Sequence, residues 1–395
     1  MGFSLLLFFF WIQRWWIGFI LFGIFNYIQL LIDTNSKENR NNQRMKDDYK
    51  ENKGCRAVDR HLKYYQYRLH DYYIQSSYNS CCGGNFLNDF VSLEPLKILI
   101  AHGIRCLDFA VYYMTPTESN KAIAAVGAGK DNSVHWKGTL NHLDINTVFK
   151  TINNWAFSKD RCKNSSDPLF IHLRIISEKK EILDLITDAI ENAFSGKLLT
   201  DDPIFQNEAN DKSIVDHSLF SFMHKVIIII ENNDISDRIL KHSRLYKYVS
   251  FSSESKFLKQ LRNNELLHEE QESTIKKYNK TNMTLTMPDY SIKPYNIAWK
   301  EHHDRGCQMV CMNYQRGDPN DKESFLGSYR HFFNSGGQNS DNAEGTEGGR
   351  ASSFILKAKE LRAKRTFVPS GAGSSGVKLE MKCFDVPGGQ KQLCV

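Results

Sequence analysis

The chain of 395 residues has enough apolar content to build one large domain or two of ordinary size. Its formal net charge of +6 is spread over stretches of mixed sign, which is typical of a solvated surface and predicts no nucleic-acid partner. Nine cysteines, without C-x-x-C or Cys/His ligand spacing, argue against a zinc site and against a dense disulfide scaffold.

Residues 1–33 are predicted to form a transmembrane anchor. The stretch 15–32 contains no charge and has about the 18 residues that an α-helix needs to cross a bilayer. Trp15, Trp16 and Tyr27 suit interfacial positions. A cleaved signal peptide and a buried core helix are the alternatives. Lysines and arginines after the span outnumber the one arginine before it, which favours a single-pass membrane protein with its body on the cytoplasmic side.

Beyond the anchor, residues 34–63 are polar and charged, and this composition predicts a disordered tether. From residue 64 onward, short β-rich runs alternate with amphipathic helical stretches, as in a parallel sheet wrapped by helices. Strands are predicted at 72–77, 104–111, 122–126, 169–174, 226–230, 248–252, 283–287 and 307–314. Helices are predicted at 93–102, 145–157, 179–194, 254–264 and 272–279.

Eight strands of this kind favour a closed barrel over an open sheet. The predicted fold class is therefore α/β, a TIM-like (β/α)8 barrel preceded by a transmembrane helix. Gly, Ser and Asn are abundant at 332–353, which predicts a flexible insertion, and residues 366–395 are predicted to be a flexible tail.

Six stretches of the chain, taken in order, resemble the X and Y catalytic halves of phosphoinositide-specific phospholipase C. They are YYIQSSYNS, GIRCLDFAVYY, DPLFIHLRI, YKYVSFSSESK, RGCQMVCMNYQ and SFILKAKELR. They are most similar to divergent members of that family from large DNA viruses. The resemblance implies an X-like half barrel at 64–231, a Y-like half barrel at 244–365 and phosphoinositide headgroups as the ligand.

The reaction that the resemblance implies needs two histidines for proton transfer and a calcium ion for charge stabilisation. In this sequence the first histidine position is Tyr78, and tyrosine, with its pKa of about 10, is a poor proton acceptor. The second position is Gly138. His135 and His142 lie on either side of it and are candidate substitutes.

The calcium ligands that the family implies are also depleted. Asn79 remains, and Asp108 stands where the family has a glutamate. The next acid is replaced by Ala110, and the third carboxylate position is Arg174. At about 4 Å, even with an effective dielectric of about 20, a guanidinium in the place of the metal would repel a cation by a few kcal/mol per unit charge. We therefore expect no calcium and no other cofactor here.

Ser252 and Ser253 remain at a position that the family uses for substrate contact, although a helix cap explains such a pair equally well. Three Asn-X-Ser/Thr triplets, at Asn164, Asn279 and Asn282, fit the glycosylation pattern. A glycan on any of them would contradict the cytoplasmic placement.

Three functions follow from these observations. The leading hypothesis is a membrane-anchored, catalytically inactive barrel that binds lipid or protein, in which Asp108 and Arg174 form an ion pair between adjacent strands. The second is an active, calcium-independent phosphodiesterase, in which Arg174 replaces the metal and a histidine from His135 or His142 transfers the proton. The third is a structural component of a viral or membrane assembly.

Overall fold

The computed structural model describes residues 2–50, 54–58, 67–114, 121–125, 127–131, 134–202, 205, 214–232, 235–268, 272–315, 351–363, 383–384 and 393–394. Side chains are described for these residues except 2–14, 30–35, 124–136, 383–384 and 393–394. The predicted insertion at 332–353 and the predicted tail at 366–395 lie almost entirely outside the described residues. Residues 364–395 form a separate unit, in which Cys383–Phe384 pairs antiparallel with Leu393–Cys394.

Eight parallel strands form the centre of the larger unit. They are β1 (Tyr72–Ser77), β2 (Cys106–Met114), β3 (Leu169–Ile176), β4 (Val226–Asn232), β5 (Val249–Phe251), β6 (Leu258–Arg262), β7 (Met283–Met287) and β8 (Met309–Met312). Hydrogen bonds join them in the order β6-β7-β8-β1-β2-β3-β4-β5. Within the described part of the chain no pairing joins β5 to β6, so the barrel is nearly closed. The predicted α/β barrel architecture is confirmed.

Helices surround this barrel. They are α1 (Gly2–Tyr49), α2 (Leu93–Ala101), α3 (Ile145–Ala156), α4 (Glu181–Phe194), α5 (Asp237–Lys241), α6 (Asn263–His268), α7 (Glu272–Tyr278) and α8 (Trp299–Asp304). The side chain of Asp144 caps α3 by accepting hydrogen bonds from the N–H groups of Asn146 and Thr147. Strands β3 and β4 are buried along nearly their whole length, because helices cover the outside and side chains fill the inside.

Two predicted elements differ from the observed ones. The stretch 254–264 was expected to be a helix, but it contains strand β6, which pairs with β7 along five residues. The leucines at 258 and 261 imitate helical spacing, and pairing with a neighbouring strand outweighs that local preference. The predicted barrel strand at 122–126 instead forms Lys121–Ala125, which pairs antiparallel with the outer half of β2 and lies outside the ring.

The predicted tether at 34–63 is wrong over residues 34–49, because α1 continues to Tyr49. Asn42, Met45 and Tyr49 recur at spacings of three and four and are buried, so that this part of α1 has one face packed on the barrel. This face could not be recognised in the polar sequence, since only two of these three residues are apolar.

The amino-terminal half of α1 contains the span predicted at 15–32. Its described large apolar side chains are exposed. Among the described residues, no helix combines the length and the apolar character that crossing a membrane requires. The predicted transmembrane helix is therefore not supported.

Candidate active site

Asp108 and Arg174 form a two-pronged ion pair at the carboxyl end of the barrel. Arg174 Nε donates to Asp108 Oδ1 at 2.9 Å, and Arg174 Nη2 donates to Asp108 Oδ2 at 2.9 Å. The two residues stand on the adjacent strands β2 and β3, where Ala110 is the register partner of Arg174.

Burial and charge act in opposite directions on this pair. Burial alone would raise the pKa of Asp108, but Arg174 and His172 outweigh it and hold that pKa well below its usual range. Burial likewise disfavours the charged guanidinium, and Asp108 outweighs it, so the pKa of Arg174 is raised. Both side chains therefore remain charged.

Asn79 completes the surroundings of the pair from the end of β1. Its φ of 48° lies in the left-handed region, which asparagine tolerates better than most residues. In this conformation its backbone N–H donates to Asp108 Oδ2 at 2.8 Å, and its side-chain Oδ1 accepts a hydrogen bond from Arg174 Nη2. The oxygen that the family would offer to a metal is thus bound to a guanidinium.

Tyr78 lies between two arginines. The guanidinium carbon of Arg174 is 4.6 Å from the centre of the Tyr78 ring, a cation–π distance. On the other side, Arg262 Nη1 donates to the Tyr78 hydroxyl at 3.0 Å. The side chain at the first histidine position therefore fills space and joins two cations.

Arg262 is held by partners of its own. Its Nη2 lies 3.3 Å from Glu231 Oε1 and 3.1 Å from the Tyr290 hydroxyl, and its Nη1 donates to the Pro288 carbonyl. Burial opposes its charge, but Tyr78 and Glu231 outweigh burial and raise the pKa of Arg262. Glu231 therefore pairs with an internal cation.

His172 is the imidazole that sequence reasoning missed. Its Nδ1 is 2.8 Å from Asp108 Oδ1, and its Nε2 is 2.9 Å from Gln260 Oε1. Gln260 is oriented by its Nε2, which donates to the Ile230 carbonyl. Both ring nitrogens therefore face oxygen atoms of neighbouring side chains.

A pattern in the sequence could have revealed His172. It lies two residues before Arg174, so both side chains project from the same side of β3, as the period of two requires. Arg262 and Gln260 could not have been found in this way, because the helix predicted at 254–264 concealed the alternation of β6.

The site is sealed from solvent. The exposed fractions are 3% for Tyr78, 2% for Asn79, 0% for Asp108, 0% for His172 and 1% for Arg174. A phosphate group could reach these side chains only after the site rearranged.

The residues present do not fit a calcium ion. Calcium takes six to eight oxygen ligands, whereas both oxygens of Asp108 and the side-chain oxygen of Asn79 bind Arg174. Throughout the described side chains, no group of three or more His, Cys, Asp or Glu residues is arranged to hold a metal.

The other predicted site residues lie apart from this cluster. The Gly138 carbonyl accepts a hydrogen bond from Asn88 N–H at 3.0 Å. His142 is half-buried, and burial together with Lys137 lowers its pKa. His135 lies on the strand Val134–Lys137, but its side chain is outside the described residues.

The serine pair joins two strand ends. Ser253 Oγ accepts a hydrogen bond from the Asn232 N–H at 2.9 Å, and the Ser252 carbonyl accepts one from Ser255 N–H in a turn. The expected helix cap is wrong, because a turn and then β6 follow the pair instead of a helix.

Part of the chain matches a known protein family. Residues 65–232 match the family described as phosphatidylinositol-specific phospholipase C, X domain. The comparison with curated proteins found no match.

Two solved structures show the same fold. PLC21 from L. pealei is 16% identical to this chain, with a TM-score of 0.55, over 76% of this chain and 38% of that structure. PLC21 from S. officinalis is 16% identical, with a TM-score of 0.56, over 76% and 39%. The chain thus spans less than two fifths of either structure. The resemblance predicted from the sequence is confirmed at the level of the match: residues 65–232 match the X-domain model of that family, and the barrel has the fold of these two structures.

Proposed function

We propose that this chain is a catalytically inactive phospholipase C-like barrel that works at a membrane as a lipid-binding module. The observation that carries the proposal is the buried Asp108–Arg174 pair. By the resemblance, Arg174 stands at a metal-ligand position of the family, and the carboxylate of Asp108 neutralises its guanidinium. The family's name makes phosphoinositide lipid the ligand class that we propose.

Membrane attachment is supported by α1. Large apolar side chains between Trp15 and Ile28 are exposed on a helix that carries no charge there. An exposed apolar surface of this size is typical of contact with lipid or protein. We propose that the barrel lies on the cytoplasmic side, because basic residues follow the apolar segment.

The test is a lipid-hydrolysis assay on the full-length protein in mixed micelles that contain phosphatidylinositol 4,5-bisphosphate. We expect no release of inositol phosphate, either with calcium or with EDTA, because no imidazole and no metal site reach the substrate. Under both conditions the protein should nevertheless co-sediment with vesicles that contain phosphoinositide. Calcium-dependent turnover would contradict the proposal.

A calcium-independent phosphodiesterase is the second candidate. It is favoured by the Nδ1 of His172, which lies 2.8 Å from Asp108 and so resembles an oriented acid–base pair. Burial of the whole cluster opposes it. Turnover that resists EDTA and disappears in Arg174→Ala would favour this candidate over the inactive barrel.

A further inference from the structure

The carboxyl-terminal half of α1 is fixed to the barrel by a series of contacts. Lys37 Nζ donates to the Asn88 carbonyl at 2.7 Å and lies 3.5 Å from Asp89. Further along the helix, Tyr49 is buried, and its ring centre is 4.9 Å from that of His102. Between these ends, further contacts hold the helix: Asn41 with Asp89, Asn42 with Ser92, Arg44 with the carbonyls of Gly83 and Gln315, and Lys46 with Glu94.

These contacts determine the direction of α1. We call the end of the barrel at which the strands finish the mouth. Asn88 and Asp89 belong to the loop that leaves β1 at the mouth, whereas His102 ends α2 near the start of β2, at the opposite end. Helix α1 therefore runs from the mouth toward the opposite end, and the residues before Lys37 extend beyond the mouth.

Between Trp15 and Ile28, the extended part of α1 exposes large apolar side chains on several sides. Trp15, Trp16 and Ile17 are consecutive, so they point about 100° apart, and they are 57%, 66% and 57% exposed. A groove on a protein would cover one face of such a helix, whereas a bilayer covers every face. The sequence remains apolar to Ile32, which at 1.5 Å per residue is ~8 Å from Lys37 along the helix.

The mouth itself presents apolar side chains. Among the described residues outside α1, the exposed large hydrophobic residues are Leu87, Leu140, Ile239, Leu267 and Ile292. Leu87, Leu140 and Ile292 lie in loops that follow the carboxyl ends of β1, β2 and β7, whereas Ile239 and Leu267 lie on the helices α5 and α6. None of the five lies in a described loop at the end of the barrel opposite the mouth.

We infer that α1 is a rigid bracket between the bilayer and the barrel: its apolar half enters the lipid, and its docked half holds the barrel with the mouth against the bilayer surface. This inference rests on the membrane attachment proposed above. It adds an orientation and a distance, because the helix continues without interruption from the apolar half to the docked half. A flexible tether would impose neither.

The orientation can be tested with fluorophores on the full-length protein. Cys383→Ser and Cys394→Ser form the background, since the described native cysteines are buried. Leu140→Cys and Ile292→Cys place a label at the mouth, and Asp160→Cys places one on an exposed loop at the opposite end. With phosphatidylcholine and phosphatidylserine vesicles that contain brominated lipid, we expect strong quenching at both mouth positions and none at residue 160.

A pair of insertions tests the bracket. A flexible Gly/Ser insertion after Ser36 separates the two halves of α1 and should abolish the difference in quenching between mouth and opposite end while the protein still floats with vesicles. The same insertion after Lys50 leaves both halves joined and should preserve the difference.

The outcomes separate the two proposals. Equal quenching at residues 140 and 160, in a protein that floats with vesicles, would overturn the bracket and leave membrane attachment standing. Failure to float would overturn membrane attachment and the bracket with it.

Discussion

Arg174 stands where the resemblance implies a carboxylate. Both carboxylate oxygens of Asp108 accept hydrogen bonds from its guanidinium. The replacement of an acid by a base would leave an unpaired buried charge unless a neighbour compensated. Asp108, Asn79 and the face of the Tyr78 ring supply that compensation. The resemblance implies a metal ion at this place, whereas the structure has an internal cation there that several residues stabilise together.

Arg174→Met should destabilise the fold strongly. It leaves the carboxylate of Asp108 buried without its two-pronged partner, and the loss of one member of such a pair costs about 3–5 kcal/mol. Urea unfolding measures this difference in the free energy of unfolding. The double variant Arg174→Met with Asp108→Leu should recover much of the loss, because neither charge remains.

Arg244→Met is the matched control. Arg244 pairs with Asp188 and Glu191 on the surface, where water screens the charges, so its loss should have little effect. If Arg174→Met were no more destabilising than this control, the buried pair would not have the importance assigned to it here.

At the scale of whole elements, strand β6 decides the composition of the site. The alternating side chains of β6 place Gln260 against His172 and Arg262 against Tyr78. Because β6 was predicted to be a helix, neither contact could be predicted from the sequence. Helix α8 is attached to the same region through His302. The His302 Nδ1 is 2.9 Å from Thr286 Oγ1 on β7, and its Nε2 is 3.0 Å from Asn263 Oδ1 on α6.

The attachment of α8 should weaken in mild acid. Burial lowers the pKa of His302 to about 4, whereas an imidazole in the unfolded chain titrates near 6.5. Between these values the unfolded state binds the extra proton, so stability falls as pH decreases from about 6.5 to about 4, by up to ~3 kcal/mol. Urea unfolding across this range, compared with His302→Gln, isolates the contribution, because the variant lacks the titrating group.

His268→Gln serves as the control, since His268 is exposed at the end of α6. It should follow the wild-type dependence on pH. A dependence in His302→Gln as steep as that of the wild type would exclude His302 as the source.

At the scale of the whole molecule, the fold limits which Asn-X-Ser/Thr triplets can report on topology. Asn164 and Asn279 are fully buried, and their side-chain amides donate to the carbonyls of Gly103 and Arg305. A glycan cannot be attached to either in the folded barrel. Asn282 is partly exposed and is the informative triplet of the three.

We expect no glycan at Asn282 in cells, because the proposed topology keeps the barrel on the cytoplasmic side. The measurement is the electrophoretic mobility of the full-length protein before and after endoglycosidase treatment. A shift that disappears in Asn282→Gln would reverse the proposed side of the membrane.

The sequence by itself determined the α/β barrel class and the X-domain resemblance, because strand patterning and motif order are local properties of the chain. The replacement of catalytic positions at Tyr78, Gly138 and Arg174 is what that resemblance implies, and it stays a prediction. Only the tertiary structure decided that His172, Gln260 and Arg262 join this cluster, since they come from separate strands that meet at the mouth. It also decided that the polar stretch ending at Tyr49 is a docked helix, because its few buried residues can be recognised only from the barrel surface against which they pack.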